Sequence, residues 1–141
     1  MTDYIGMFGL ARRSGGIEIG EDRIKTALGE HKIKAVFIAS DAADNARRKA
    51  EQTALFAKAP SFILPFTKAE LGAAVGRGDV AAAAITDIEF AYGIASKVAA
   101  DEPEKYSAAL ASLENKAKAR RAGLKAKSKA VRGKANRKEN A

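Results

Sequence analysis

Apolar positions along this chain switch repeatedly between helical spacing and short unbroken runs, and the switches mark out its elements. Ile5, Phe8 and Ala11 predict a first helix, capped by Thr2 or Asp3, running to about Arg13 and ended by Gly15. Ile17-Glu18-Ile19 alternates and predicts a short strand. Gly20 opens a second helix to Gly29, in which Ile24, Ala27 and Leu28 fall on one stripe. Ala35-Val36-Phe37-Ile38-Ala39 is an unbroken apolar run of strand length, as in an interior strand covered on both faces. Ser40 and Asp41 are placed to cap a helix from about Ala43 to Ala57, with Arg47, Arg48, Lys49 and Glu51 outside and Pro60 breaking it.

Ser61-Phe62-Ile63-Leu64 is the third strand, closed by Pro65, and Thr67-Lys68-Ala69-Glu70 reads as a capping box before a short helix through Val75. Gly76-Arg77-Gly78-Asp79 makes a turn. Val80 to Ile85 is the fourth strand, and its alanines predict a close-packed neighbour. Asp87 caps a helix from Ile88 to about Ala100; Pro103 suits the first turn of another, with Tyr106, Leu110 and Leu113 on a weak stripe. From Asn115 apolar anchors almost vanish. That predicts a segment disordered when free, or at most an extension of the preceding helix held by Leu113.

Strands alternating with helices imply an α/β fold: a three-layer α/β/α sandwich around a four-stranded mixed sheet. Its expected extent is residues 1–100, followed by a short helix or linker over 101–115 and a basic tail over 116–141. Charge sharpens that division. The 141-residue chain carries a formal net charge of +8. Residues 116–141 hold eleven Lys/Arg against one acid, whereas residues 1–115 hold fourteen against sixteen. Such asymmetry points to a polyanion, nucleic acid above all, as the tail's partner.

Composition removes several chemistries. There is no cysteine, hence no disulfide, thiolate metal site or cysteine nucleophile. His31 is the only histidine, sits beside Lys32 and reads as a surface turn residue. No apolar run reaches the length of a membrane span and no signal-peptide core is present, so a cytoplasmic protein without membrane association is expected. Gly76-x-Gly78-x-x-Ala81 imitates a dinucleotide fingerprint, but it leaves a helix and enters a strand, the reverse of what that motif requires. Asp41, Asp44 and Asp87 have cap or turn roles. The expectation is a monomer that is not an enzyme and binds no metal or cofactor.

One stretch invites a ligand. The first turn of the Gly20 helix exposes backbone N–H groups beside a glycine, an arrangement that attracts phosphate or a polar base edge. Glu21, Asp22, Arg23, Lys25 and Thr26 surround it with donors and acceptors. The same residues also suit a plain turn followed by a solvated helix face.

A resemblance bears on that choice. Gly9-Leu10-Ala11-Arg12-Arg13, Gly15-Gly16, Gly20-Glu21, Ala39-Ser40-Asp41-Ala42, Asn45, Glu70-Leu71-Gly72, Val75-Gly76, and Val80 through Thr86-Asp87 with Phe90-Ala91 resemble, in order and spacing, one superfamily. It is the kink-turn RNA-binding ribosomal-protein superfamily of the L-seven-Ae and L-thirty-e type, and within it the bacterial YlxQ-like branch. The resemblance covers about residues 4–98 and implies the sandwich already read from the pattern. It also implies an RNA surface made of Gly20, Glu21, Asp22, Arg23, Lys25 and Thr26 with Gly76, Arg77, Gly78, Val80 and Ala81. Archaeal members carry Gly-Thr-Asn-Glu-x-x-Lys at the helix start, where Asn, Glu and Lys read the tandem G·A pairs of a kink-turn. Here those three positions match Asp22, Arg23 and Thr26: an acceptor, a pure donor and an uncharged hydroxyl. Lys116, Lys118, Arg120, Arg121 and Lys125 are expected to meet phosphates. The partner implied is structured or ribosomal RNA in a translation, ribosome or transcription setting. Two alternatives stay open: a protein–protein adaptor whose tail touches nucleic acid non-specifically, and the RNA-recognition domain of a larger RNA-modifying protein.

Overall fold

The strands sort their side chains between two helical layers by simple alternation. The computed structural model describes residues 4–139, with side chains described for residues 4–126. The elements are α1 (Gly6–Ser14), β1 (Ile17–Glu18), α2 (Glu21–Gly29), β2 (Ala35–Ile38), α3 (Asp44–Ala57), β3 (Ser61–Ile63), α4 (Lys68–Ala74), β4 (Ala82–Ile85), α5 (Ile88–Asp101) and α6 (Pro103–Glu139). They form a mixed four-stranded sheet in the order β1-β4-β2-β3. β4 runs antiparallel to β1 and β2, and β2 runs parallel to β3.

Every residue of β2 is buried, because it is central and both its faces are covered. Ala35, Phe37 and Ala39 join Phe62, Leu64, Ala83 and Ile85 on the face packed by α1, α4, α5 and α6. Val36, Ile38 and Ala84 point the other way, onto Ala27 of α2 and Ala50 and Ala54 of α3. Small residues on that second face let two helices lie close to the strands. The first face is the aromatic one. Phe8, Phe37, Phe62 and Tyr106 make a chain of ring contacts from α1 through β2 and β3 to α6, with centroid separations of 5.7, 5.2 and 4.9 Å. Burying each such ring contributes about 2–3 kcal/mol.

Some expected boundaries move. The first helix starts after Ile5, and Thr2 and Asp3 lie outside the described residues. β4 begins at Ala82; Val80 and Ala81 belong to the preceding loop, where the Val80 N–H donates to the Lys68 carbonyl at 3.0 Å. α3 has Ala43 at its start and no side-chain cap. Asp41, expected as its cap, instead accepts from the Lys68 N–H at 2.7 Å and closes the start of α4. The segment from Asn115, expected to be disordered when free or to extend the preceding helix, takes the second form as part of α6. Tyr106, Leu113 and Ala117 of that helix are all buried, and Arg121 makes a bidentate pair with Glu89 of α5.

Candidate functional site

α2 begins at a glycine because the chain turns there with φ 96° and ψ 145°, a conformation that side-chain-bearing residues rarely adopt. Gly20 offers no capping side chain, and the first-turn amides of Glu21, Asp22 and Arg23 have no acceptor among the described residues. α4 and α5 are closed differently. Thr67 and Glu70 form a complete capping box, and Asp87 Oδ1 accepts from the Glu89 and Phe90 amides at 2.8 and 3.4 Å. Ala43, at the equally uncapped start of α3, lines the same groove as Gly20. Two open helix ends, each with partial positive charge, therefore share one surface.

The 76–81 loop is the third wall. It folds tightly onto α4: a Cβ on Gly72 would stand 1.6 Å from the Gly78 carbonyl oxygen, and the Arg77 N–H donates to the Gly72 carbonyl at 2.8 Å. Only a glycine at 72 lets the two backbones approach so closely. Arg12 of α1 donates through its guanidinium to the Val75 carbonyl and holds the loop's entrance. Arg77 Nη1 then reaches across to donate to the Ile19 carbonyl at 3.4 Å. That contact brings together the two stretches expected to act jointly, 57 residues apart in Gly20 and Arg77.

Helix α2 divides the expected residues between its flanks. Gly20, Glu21 and Lys25 face the groove toward α3, with Arg77, Gly78, Val80 and Ala81. Val80 is buried, so its side chain supports the loop from beneath. Gly76 shapes the turn, with φ 71°, but stands outside that groove. Asp22, Arg23 and Thr26 face the opposite flank, in a second groove with Glu18, His31, Lys32 and Lys34. Sequence reasoning did not single out Lys32 and Lys34, which line this groove with Glu30, the partner of Lys32 at 2.7 Å; their signal is position, immediately before the central strand β2.

Available charge is also sorted. Glu21 is tied to Lys49 of α3 at 3.3 Å, and the Thr26 hydroxyl donates to its own helix at the Asp22 carbonyl. Arg23 and Lys25 have no ion-pair partner among the described residues. On α6, Lys118 pairs with Glu114 at 3.2 Å and Arg121 with Glu89 at 2.6 Å, whereas Lys116, Arg120 and Lys125 are unpaired among the described residues. His31 is exposed in a left-handed turn, φ 57°. Among the described residues no group of three His, Asp or Glu is positioned to hold a metal ion, and no helix is long and apolar enough to cross a membrane.

No protein-family model matches the chain. A curated relative, the RNA-binding protein YlxQ of Enterococcus faecium, is 32% identical over 73 residues, which span 52% of this chain and 70% of the relative. The chain belongs to the YlxQ family. Its fold recurs in a protein of unknown function from Bacillus halodurans C, at a TM-score of 0.62 and 20% identity over 70% of this chain and 98% of that one. It recurs again in the Giardia lamblia 15.5kD RNA binding protein, at 0.54 and 19% over 68% and 84%. At those identities the likeness is one of fold: the same α/β arrangement carries the YlxQ sequence and two distant ones.

Proposed function

We propose that this YlxQ-family protein is a non-catalytic RNA-binding protein that takes structured RNA of a kink-turn or ribosomal kind. The observation that carries the reading is the Arg77–Ile19 contact, which sets the Arg77 guanidinium against the open start of α2. Amides there offer donors to phosphate oxygens or base edges, and the unpaired Arg23 and Lys25 add charge on the two flanks. The name of the Enterococcus relative supports it. Asp22 accepts from a guanine edge, while Arg23 donates, so the pattern of base contacts differs from that implied for archaeal kink-turn readers. The tail adds phosphate contacts, in a ribosomal or transcription setting.

The test is a binding titration of the full chain on a kink-turn RNA and on a plain duplex of equal length. Arg23→Glu with Lys25→Glu should weaken binding by about 2 kcal/mol or more, the scale of lost charged contacts. Circular dichroism should be unchanged, since both side chains are exposed. Undiminished affinity for both RNAs overturns the assignment of this surface.

A second reading, as a protein adaptor, has one observation in its favour. Leu55 and Phe56 near the end of α3 are 77% and 74% exposed, and Phe56 borders the groove between α2 and α3. A Phe56→Ser variant that lost a protein partner while keeping RNA affinity would give that reading precedence.

A further inference from the structure

Helix α6 does not present its cations evenly. With about 100° of turn per residue, the buried positions Tyr106, Leu113 and Ala117 define one stripe facing the core. Lys116 and Arg120 fall together along one flank of that stripe. Arg121 falls on the other flank, where it is held by Glu89 through two hydrogen bonds of 3.0 and 2.6 Å. Lys118 and Lys125 fall beyond Arg121 on that same flank, on the side of the helix away from Lys116 and Arg120.

The Lys116 and Arg120 flank borders a groove of its own, walled on the far side by the Gly15-Gly16 turn, Lys34 and Thr86. Lys34, Lys116 and Arg120 have no side-chain partner among the described residues. The acid in this groove is Asp87, and its Oδ1 is occupied by the amides that start α5. Gly15, Lys34 and Thr86 also line the groove beside Asp22, Arg23 and Thr26. The two depressions are thus continuous, from the outer flank of α2 around the β1 end of the sheet to α6.

We propose that this α6 groove is a second phosphate-binding surface, which receives the backbone of an RNA strand leaving the α2 site. The inference rests on the RNA-binding reading above and deepens it by assigning a strand path to three cations. Unpaired ammonium and guanidinium groups in a shallow, open groove suit a polyanion backbone, and they carry no base selectivity. The bidentate Arg121–Glu89 pair and the buried Leu113 and Ala117 fix the helix in rotation, so Lys116 and Arg120 are presented to the groove without further ordering. The neutralising charge is therefore part of the folded unit, not only of the chain that follows it.

Salt titrations of the full-length protein on a fluorescent 30-residue oligouridine test this. Three variants are compared with the wild type: Lys116→Gln/Arg120→Gln in the groove, Lys118→Gln/Lys125→Gln (the outer pair) on the opposite flank of α6, and Arg23→Glu/Lys25→Glu at α2. Losing two phosphate contacts should lower the slope of log K against log salt by about 1.4, at about 0.7 per contact on single strands. The groove pair should show that loss and the outer pair less than half of it. Equal losses from the groove and outer pairs would mean diffuse attraction to α6 and overturn the proposal. So would an unchanged slope in the groove pair while the α2 pair weakens binding, a result that leaves the RNA-binding reading standing. Absence of oligouridine binding by the wild type overturns the strand path, and the RNA-binding reading falls with it only if the kink-turn RNA also goes unbound.

Discussion

Tyr4 has a buried hydroxyl with no hydrogen-bond partner among the described residues, and its ring lies edge-on against Phe66 at 4.9 Å. Burial first, then the negative charges of Asp101 and Glu102, with a smaller contribution from Tyr106, push its pKa up from 10.0 to about 12. The sign follows from linkage. Between pH 10 and 12 the unfolded chain releases this proton and the folded chain retains it. The contribution to stability is complete below about pH 10 and is lost as pH rises through about 12. Tyr4→Phe should therefore be neutral or stabilising by up to about 1 kcal/mol at neutral pH, because an unpaired polar group leaves the core. Its advantage over the wild type should grow in alkali, read from urea midpoints across that range, and the late phenolate absorbance step should vanish. Neighbouring residues show what a linear reading recovers at this scale. Asp87 and Thr67 cap helices two or three residues ahead, so their roles are written in local spacing. Asp41 caps Lys68, 27 residues on, and nothing in its surroundings along the chain signals that. Gly72 is similar: its constraint comes from the Gly78 carbonyl across a turn.

At the level of elements, apolar spacing was legible wherever one face of a helix or strand carries large residues. β2, α5 and the capping box of α4 follow from it directly. α6 follows from it only as far as Leu113, because its hold on the sandwich beyond that residue depends on a small residue, Ala117, and on an ion pair to another helix. Neither leaves a periodic apolar trace in a Lys/Arg/Ala background. The helix also closes the sheet. The Tyr106 hydroxyl accepts from the Ile63 N–H at 3.0 Å, which satisfies an amide of the edge strand β3, and its ring lies 4.9 Å from that of Phe62. Leu113 is fully buried one face along from it. Leu113→Ala should destabilise the protein by about 2–5 kcal/mol, the range for truncating a buried leucine. The accompanying prediction is specific to the docked helix: limited proteolysis should begin cutting in α6 before the sandwich itself is attacked. A Leu113→Ala protein with unchanged urea midpoint and protease pattern would mean that α6 does not dock.

For the whole molecule, the charge division seen along the chain becomes a division in space. The sandwich is nearly neutral and presents a few chosen cations; α6, 37 residues long, spans about 55 Å at about 1.5 Å per residue and carries most of the excess charge outward. The candidate site was only partly legible. The family resemblance implied that Gly20 and Arg77 share one site, but an α-helix shows two flanks, and only its packing decides that Lys25 and Arg23 face different grooves. The distribution of labour between folded surface and charged extension is open to measurement. Six Lys/Arg lie in residues 127–141, against the single acid Glu139. Deleting those residues keeps Leu113, Ala117, Arg121 and both grooves, so the sandwich and its docked helix should unfold at the wild-type urea midpoint. If about half of the six cations meet phosphates, the salt slope should fall by about 2 units, using about 0.7 per contact on single strands. The ratio of affinities for a kink-turn RNA and a plain duplex should stay the same, because phosphate contacts position a nucleic acid without reading it. Loss of that preference along with the deleted residues would move recognition from the α2 surface to the extension.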